Sequence, residues 1–300
     1  MLNQNKIARM QHCRRLAAKV IALKQSPSFI PLPSVHPFYS EIASGRQPVM
    51  YTSGIVILFQ GRKVGYLGET LFHYDANSYL MVTVTLPFEC ETFASKEEPI
   101  AGVLLSCCPR QIQQLVMEME SEPLNVPELQ SAVHTAELTD PMLNALERLL
   151  DSMVTPQDAR VLGNNILREI FYYVLQGPCR DALLLQAHQQ PQFMQLSRVL
   201  KRIESHYNES FSVESMAYEA NMSVSAFHHH FKQLTSTSPL QYLKHVRLHK
   251  ARLLMQQEGM RVSTAAVNVG YESPSQFSRE FKRYFGLPPV AEVMRLRHSE

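Results

Sequence analysis

Ala217-Tyr218-Glu219-Ala220-Asn221-Met222-Ser223, followed by Phe227, Phe231 and Lys232, returns some fifty residues later as Ala266-Val267-Asn268-Val269-Gly270-Tyr271-Glu272-Ser273, followed by Phe277, Phe281 and Lys282. The offset is 49 before the turn and 50 after it, so the second turn is one residue longer. Each copy reads as helix, tight turn, helix. Gly270 supplies the backbone freedom a sharp helix end needs, and Asn221 stands in its place in the first copy because asparagine also visits the left-handed region. Ser223 and Ser273 are positioned as N-caps. Pro274 suits the first helical position, and Gln276 is placed to complete a capping box.

The second helix of each copy has two faces. Phe227, Phe231 and Leu234 anchor the first helix, and Phe277, Phe281 and Phe285 anchor the second. Opposite them lie Ser225, His228, His229 and Lys232 in one, and Ser275, Gln276, Ser278, Arg279, Lys282 and Arg283 in the other. This spacing describes a helix face that fits a major groove. Arginine can read guanine with two hydrogen bonds, serine and histidine are adaptable, and lysine suits phosphate. A solvated polar face is the alternative for one such helix. Two copies with matching caps and phenylalanines point instead to double-stranded DNA. His228-His229-His230 is not a metal site, because consecutive helix positions diverge by roughly 100°.

Charge follows the same division. The whole chain carries a formal net charge of only +2 over 300 residues. From Phe193 onward there are 14 Lys and Arg against 9 Asp and Glu, whereas the rest holds 15 against 18. A basic C-terminal third on an acidic body is the footprint of a nucleic-acid module carried by something else. The length suggests two domains. We place them at 1–180 and 193–300, with a linker at 181–192 marked by Gln186, Gln189, Gln190 and Pro191.

From about Pro31 to Ser106 the texture is that of strands. Gly54–Phe59 is one β-rich run, and Tyr79–Pro87 is another. Within and beyond the latter, Val82, Val84, Leu86, Phe88 and Cys90 share one parity, with Thr83, Thr85, Glu89 and Glu91 on the other, as in a strand with one buried face. Several such strands make a sandwich or barrel. After Pro109 the texture turns helical: Ile112, Leu115, Val116 and Met119 form one stripe, and Leu143, Leu146, Leu149 and Leu150 another. A longer helix is predicted from Gln157 to about Gln176, ending at Gly177-Pro178. Its stripe of Leu162, Ile166, Ile170, Tyr173 and Val174 would pack on the barrel or on a second copy of the chain.

Five cysteines (Cys13, Cys90, Cys107, Cys108 and Cys179) follow no disulfide framework, and no signal peptide or membrane-length apolar run is present. A cytoplasmic, non-membrane protein with reduced thiols is expected.

At the repeated units the chain resembles the AraC/XylS family of bacterial transcription regulators. The run from Val269 to Pro289 matches that family's signature almost throughout, as does Ser238-Pro239-Leu240-Gln241-Tyr242-Leu243. The resemblance covers roughly Phe193 to Arg297. It implies seven helices, with Pro239–Gln257 bridging the units. It also implies that the helices at Ser225–Leu234 and Pro274–Phe285 enter successive major grooves roughly 34 Å apart. His228-His229 departs from the more basic or amide-bearing pair common at that position.

Tyr79 to Glu91, with Glu98-Pro99, resembles the effector domain of one subgroup, some of whose members govern aldehyde- or electrophile-stress genes. That implies an α+β chain, a cupin-like β-barrel or jelly roll with flanking helices ahead of an all-α domain. It also implies a small-molecule effector, contact with RNA polymerase (with activation as the outcome) and a homodimer. The effector pocket would be lined by Val82, Val84, Leu86, Phe88, Cys90 and Cys107. Cys90 could react with an aldehyde or other electrophile, although a thiol among apolar side chains is usually inert.

No cofactor or metal is expected, and no catalysis. His36, His73 and His134 stand alone, without the paired imidazoles of a cupin metalloenzyme. Cys107-Cys108 fits poorly with a four-thiolate zinc site. A constitutive regulator whose barrel only dimerises is the remaining alternative.

Overall fold

A computed structural model describes residues 2–26, 32–119, 129, 131–187 and 190–297. Helix α1 (Leu2–Gln25) precedes eight strands: β1 (Val35–Ser40), β2 (Ser44–Tyr51), β3 (Gly54–Gln60), β4 (Arg62–Leu67), β5 (Thr70–Asp75), β6 (Ser78–Val82), β7 (Leu86–Phe93) and β8 (Ile100–Leu105). Helix α2 (Pro109–Glu118) and strand β9 (Val133–Glu137) follow, then α3 (Asp140–Ser152), α4 (Pro156–Leu175) and α5 (Arg180–Ala187). The strands form two antiparallel sheets, ordered β1-β8-β3-β6-β9 and β2-β7-β4-β5. The sheets do not close into a barrel; the arrangement is a jelly-roll-like sandwich.

The five-stranded sheet is buried on both faces, which explains the unbroken apolar run of β3. Ile55, Ile57 and Phe59 lie in the core shared with α1, α3 and α4, while Val56 and Leu58 point into the sandwich. The run expected as one strand from Tyr79 to Cys90 is two. β6 belongs to the five-stranded sheet and β7 to the four-stranded one, and the chain crosses between them at residues 83–85. Parity survives because both halves face the same interior: Val82, Val84, Leu86, Phe88 and Cys90 are all buried. Alternation reports which face is dry, not which strand is the neighbour. Thr83, assigned by parity to the wet face, is buried too, and its N–H donates to the Ala132 carbonyl at 2.8 Å.

Helix α4 starts where Thr155 caps the Asp158 N–H. Its buried stripe includes Ala159, Gly163, Leu167, Ile170, Phe171 and Val174. Of the expected stripe only Ile170 and Val174 are fully buried, Leu162 is 45% exposed, and Ile166 and Tyr173 pack at the margin. Much of the stretch expected as a linker, 181–192, is helical. Leu183, Leu184 and Leu185 are buried within α5, and the Gln186 amide donates to the Thr83 carbonyl at 2.7 Å. Three consecutive leucines outweigh the glutamine-rich composition. Gln189 and Pro31 lie outside the described residues.

The C-terminal part contains α6 (Pro191–Ser205), α7 (Val213–Glu219), α8 (Val224–Thr235), α9 (Pro239–Gln257), α10 (Val262–Asn268), α11 (Pro274–Phe285) and α12 (Pro289–Arg297). Gln190 caps α6 by accepting from the Phe193 N–H at 2.6 Å. The two repeated units are packed differently. Phe227, Phe231, Leu234 and Tyr242 of the first share one continuous core with Val82, Val84, Leu86 and Phe88 of the sandwich. The second has a core of its own, built on Leu248, Ala251, Val269, Phe277 and Phe281. No described helix is long and apolar enough to cross a membrane.

Candidate nucleic-acid interface

The repeat is geometric as well as sequential. Asn221 and Gly270 both take positive φ, at 51° and 84°. Ser223 accepts from the Ala226 N–H at 3.2 Å, and Ser273 accepts from the Gln276 N–H at 3.3 Å. The Phe227 and Phe231 rings lie 5.4 Å apart, as do those of Phe277 and Phe281. One cap differs from expectation: the Gln276 side chain donates to Glu280 at 3.2 Å instead of turning back to the cap. The reciprocal box occurs at α7, between Ser212 and Ser215.

Burying the phenylalanines turns the opposite faces outward. Ser225, His228, His229 and Lys232 on α8 are exposed, as are Ser275, Gln276, Arg279, Lys282 and Arg283 on α11; Ser278 is half-buried. Ser278 donates to the Pro274 carbonyl at 2.9 Å and Ser275 meets Ser273 at 2.9 Å, so both hydroxyls are partly engaged locally. Among the described residues no carboxylate lies within ion-pair distance of Lys232, Arg279, Lys282 or Arg283. These four cations on two capped helices thus face solvent without an ion pair among the described residues, although Glu280 lies near enough to Arg283 to feel its charge. They are available to phosphate and to base edges.

One residue that holds this surface in place escaped the sequence reading. Arg247, on the helix joining the units, donates to the carbonyls of Tyr207 (2.7 Å), Glu209 (2.7 Å) and Gly270 (3.2 Å). It ties the end of α6 to the second turn. The available signal was an arginine set among the apolar positions of α9. Next to it, burial depresses His245 to about 4, with Arg283 and Lys244 adding to the effect, and its ring stacks on Tyr284 at 4.3 Å. Burial holds His249 well below the ordinary histidine value. Neither is a groove-facing charge.

Of the expected pocket residues, Val82, Val84, Leu86 and Phe88 share the core between the sheets and Cys90 is buried against Tyr74 of that core, while Cys107 does not join them. It sits half-buried beside the helix-covered core, and burial pushes its thiol to about 12. Cys90 is enclosed, with Tyr74 Oη at 3.5 Å and Tyr51 Oη at 3.9 Å. No group of three His, Cys, Asp or Glu side chains is placed to hold a metal among the described residues.

Interior and interface are joined by hydrogen bonds at the sheet crossover. The Thr83 N–H donates to Ala132 C=O, and the Ala132 N–H donates to Leu234 C=O at 3.0 Å, at the end of α8. Tyr242 Oη, on α9, donates to Thr85 C=O at 2.8 Å, and the Gln233 amide donates to Leu129 C=O at 2.7 Å.

Comparison with known proteins agrees with this division. Residues 31–182 match the family described as AraC-type transcriptional regulator N-terminus. The chain belongs to the AraC/XylS family. Residues 216–292 match a helix-turn-helix domain, which takes in α8 and α11. The HTH-type transcriptional activator RhaS of Escherichia fergusonii is 30% identical over 140 residues, 47% of this chain and 49% of that protein. RhaS of Salmonella schwarzengrund is 29% identical over 148 residues, 49% of this chain and 50% of that protein. The matched region spans about half the length of these curated relatives. The crystal structure of fatty-acid-bound ToxT from Vibrio cholerae superposes with a TM-score of 0.58 at 13% identity, covering 87% of this chain and 93% of that one. That likeness concerns the fold.

Proposed function

We propose that the chain is an effector-responsive, sequence-specific DNA-binding regulator, an activator that works in the cytoplasm through RNA polymerase and performs no catalysis. Helices α8 and α11 read successive major grooves through Ser225, His228, His229 and Lys232, and through Ser275, Gln276, Ser278, Arg279, Lys282 and Arg283. The observation that carries this reading is the pair of matched helices whose outward Lys232, Arg279 and Lys282 form no ion pair among the described residues. Activation is supported by the RhaS relatives, which are named as activators. The sandwich is the effector and dimerisation domain, spanning 1–180, and the DNA-binding domain spans 193–300. The interior lined by Val82, Val84, Leu86, Phe88 and Cys90 receives a small molecule. The shared core and the crossover at 83–85 transmit its arrival to α8 and α9.

Selection of bound sequences from random duplexes, followed by footprinting, tests this reading. The expected footprint covers two adjacent major grooves on one face of the duplex for each chain. A protein that selects no sequence, or protects one groove only, refutes it.

A further inference from the structure

The inner face of the four-stranded sheet carries a polar cluster to which each strand contributes one group: Tyr51 from β2, Cys90 from β7, Lys63 from β4 and Tyr74 from β5. Strand register brings them together. Lys63 stands opposite Tyr74 on one side and Thr92 on the other, and Gly65 stands opposite Cys90, so Lys63 and Cys90 are diagonal neighbours on one face. The two phenol oxygens are 2.6 Å apart, and Lys63 Nζ lies 3.4 Å from Tyr51 Oη. The ammonium is also 5.8 Å from the ring centroids of Tyr51 and of Phe38, which reaches across from β1.

Counting donors against acceptors shows what the cluster lacks. An ammonium offers three N–H groups and accepts nothing; each phenol and the thiol adds a donor. Against these stand the two phenol oxygens, the weakly accepting Cys90 Sγ and the Glu91 backbone carbonyl, 3.7 Å from Cys90 Sγ. Among the described residues no carboxylate pairs with Lys63. The acids of β7 are engaged elsewhere: Glu89 is bound by Arg46, and Glu91 accepts from Tyr66 Oη at 3.1 Å. Burial disfavours the charged ammonium, and a negative charge beside it, such as an ionised Tyr51 or Cys90 would carry, raises it above the ordinary lysine value. A half-buried ammonium with one long hydrogen bond is unfavourable until an anion completes it.

We propose that this cluster is the anion-recognition end of the effector site, and that the effector is an organic monocarboxylate. One carboxylate oxygen would accept from Lys63 and the other from a Tyr51 or Tyr74 hydroxyl, with the apolar body against Phe38, Tyr51 and Phe88. A single cation suits a monoanion better than a phosphate dianion. A sugar would ask for carboxylate or amide acceptors, which this cluster does not contain. The proposal rests on reading the sandwich as the effector domain and adds the ligand class.

Thermal shift of the full chain tests it with phenylacetate and hexanoate against their neutral amides and inorganic phosphate. The carboxylates should raise the melting temperature in a saturable way, while the amides and phosphate should not. Lys63→Met should weaken the apparent affinity at least tenfold, whereas Lys63→Arg, which keeps the charge, should retain a measurable response and controls for misfolding. Equal stabilisation by amides, an unchanged response in Lys63→Met, or no response to either carboxylate at millimolar concentration overturns the proposal. DNA binding measured on the same preparation separates the two levels. If it is intact while carboxylates fail, only the ligand class falls; if it is absent, the regulator reading falls.

Discussion

Gly270→Ala probes the turn that aims the second recognition helix. Gly270 sits at φ 84°, where an L-residue is disfavoured by about 1–2 kcal/mol. An added Cβ would stand 2.8 Å from the Asn208 carbonyl oxygen and 2.9 Å from Arg247 Nη2. Arg247 cannot swing clear without releasing the carbonyls of Tyr207, Glu209 and Gly270, and overpacking of this kind adds about 1–3 kcal/mol. Alanine recovers about 0.4–1 kcal/mol by restricting the unfolded chain, which leaves a net loss of about 1–5 kcal/mol. Asn221→Gly is the control, because the first turn already holds a side chain at φ 51°; its effect should stay below about 1 kcal/mol. Urea unfolding gives the magnitude, and native-state hydrogen exchange gives the location. The second unit has its own core, so faster exchange should be confined to α10 and α11, and the DNA footprint should shrink towards the α8 groove. A Gly270→Ala protein within about 0.5 kcal/mol of wild type, or an Asn221→Gly change of equal size, would refute the reasoning.

Arg279→Ala should weaken operator binding by about 1–3 kcal/mol and relax base preference at one position, while Lys282→Ala should weaken all sequences alike and lower the salt slope by about one; titrations at several salt concentrations distinguish the two. Tyr242→Phe leaves the half-buried Thr85 carbonyl without the hydroxyl it shares with Glu204, so it should cost about 1–3 kcal/mol and speed hydrogen exchange at Thr83 and Ala132; unchanged exchange there would contradict the crossover coupling. His245 is neutral in the fold because burial depresses it to about 4 from an ordinary value of 6.5, and the unfolded chain therefore binds a proton first. Its contribution is fully present above about 6.5 and is lost progressively as pH falls towards 4, so denaturation midpoints should drop across that window and drop less in His245→Gln.

What the sequence made legible was local. The turns, caps and paired phenylalanines sit within twenty residues of one another, and helical period places them without reference to the rest of the chain. The crossover at Thr83–Thr85 was not legible, because burial parity continues across it while the hydrogen-bonding partner changes. α5 was obscured by its glutamines, although Leu183, Leu184 and Leu185 carried the decisive signal. The Tyr51, Lys63, Tyr74 and Cys90 cluster had no local signature at all. Its members are spread over forty residues on four strands, and only sheet register makes them neighbours. Arg247 was missed for a similar reason: its three carbonyl partners lie on other segments.

The two helix-turn-helix units are alike in sequence and unlike in attachment, and that difference bears on how an effector could act. Packing disturbances travel through contiguous, close-packed side chains. The first unit shares such a core with the sandwich interior and is also bonded to it at Leu234 and Tyr242. The second unit meets the sandwich through edge contacts such as Arg295 to Gln47 at 3.0 Å, with its own core behind them. A ligand that shifts Leu86 or Phe88 therefore displaces α8 and the start of α9 directly. It reaches α11 through the length of α9 and the Arg247 tie at Gly270. On the proposed reading, the angle between the two recognition helices, rather than the exposure of either one, is the quantity an effector should change. DNA containing both half-sites should sense that change far more than DNA containing only the α11 half-site. Affinities measured on both duplexes, with and without a stabilising ligand, decide it: an equal effect on the two would place the coupling elsewhere.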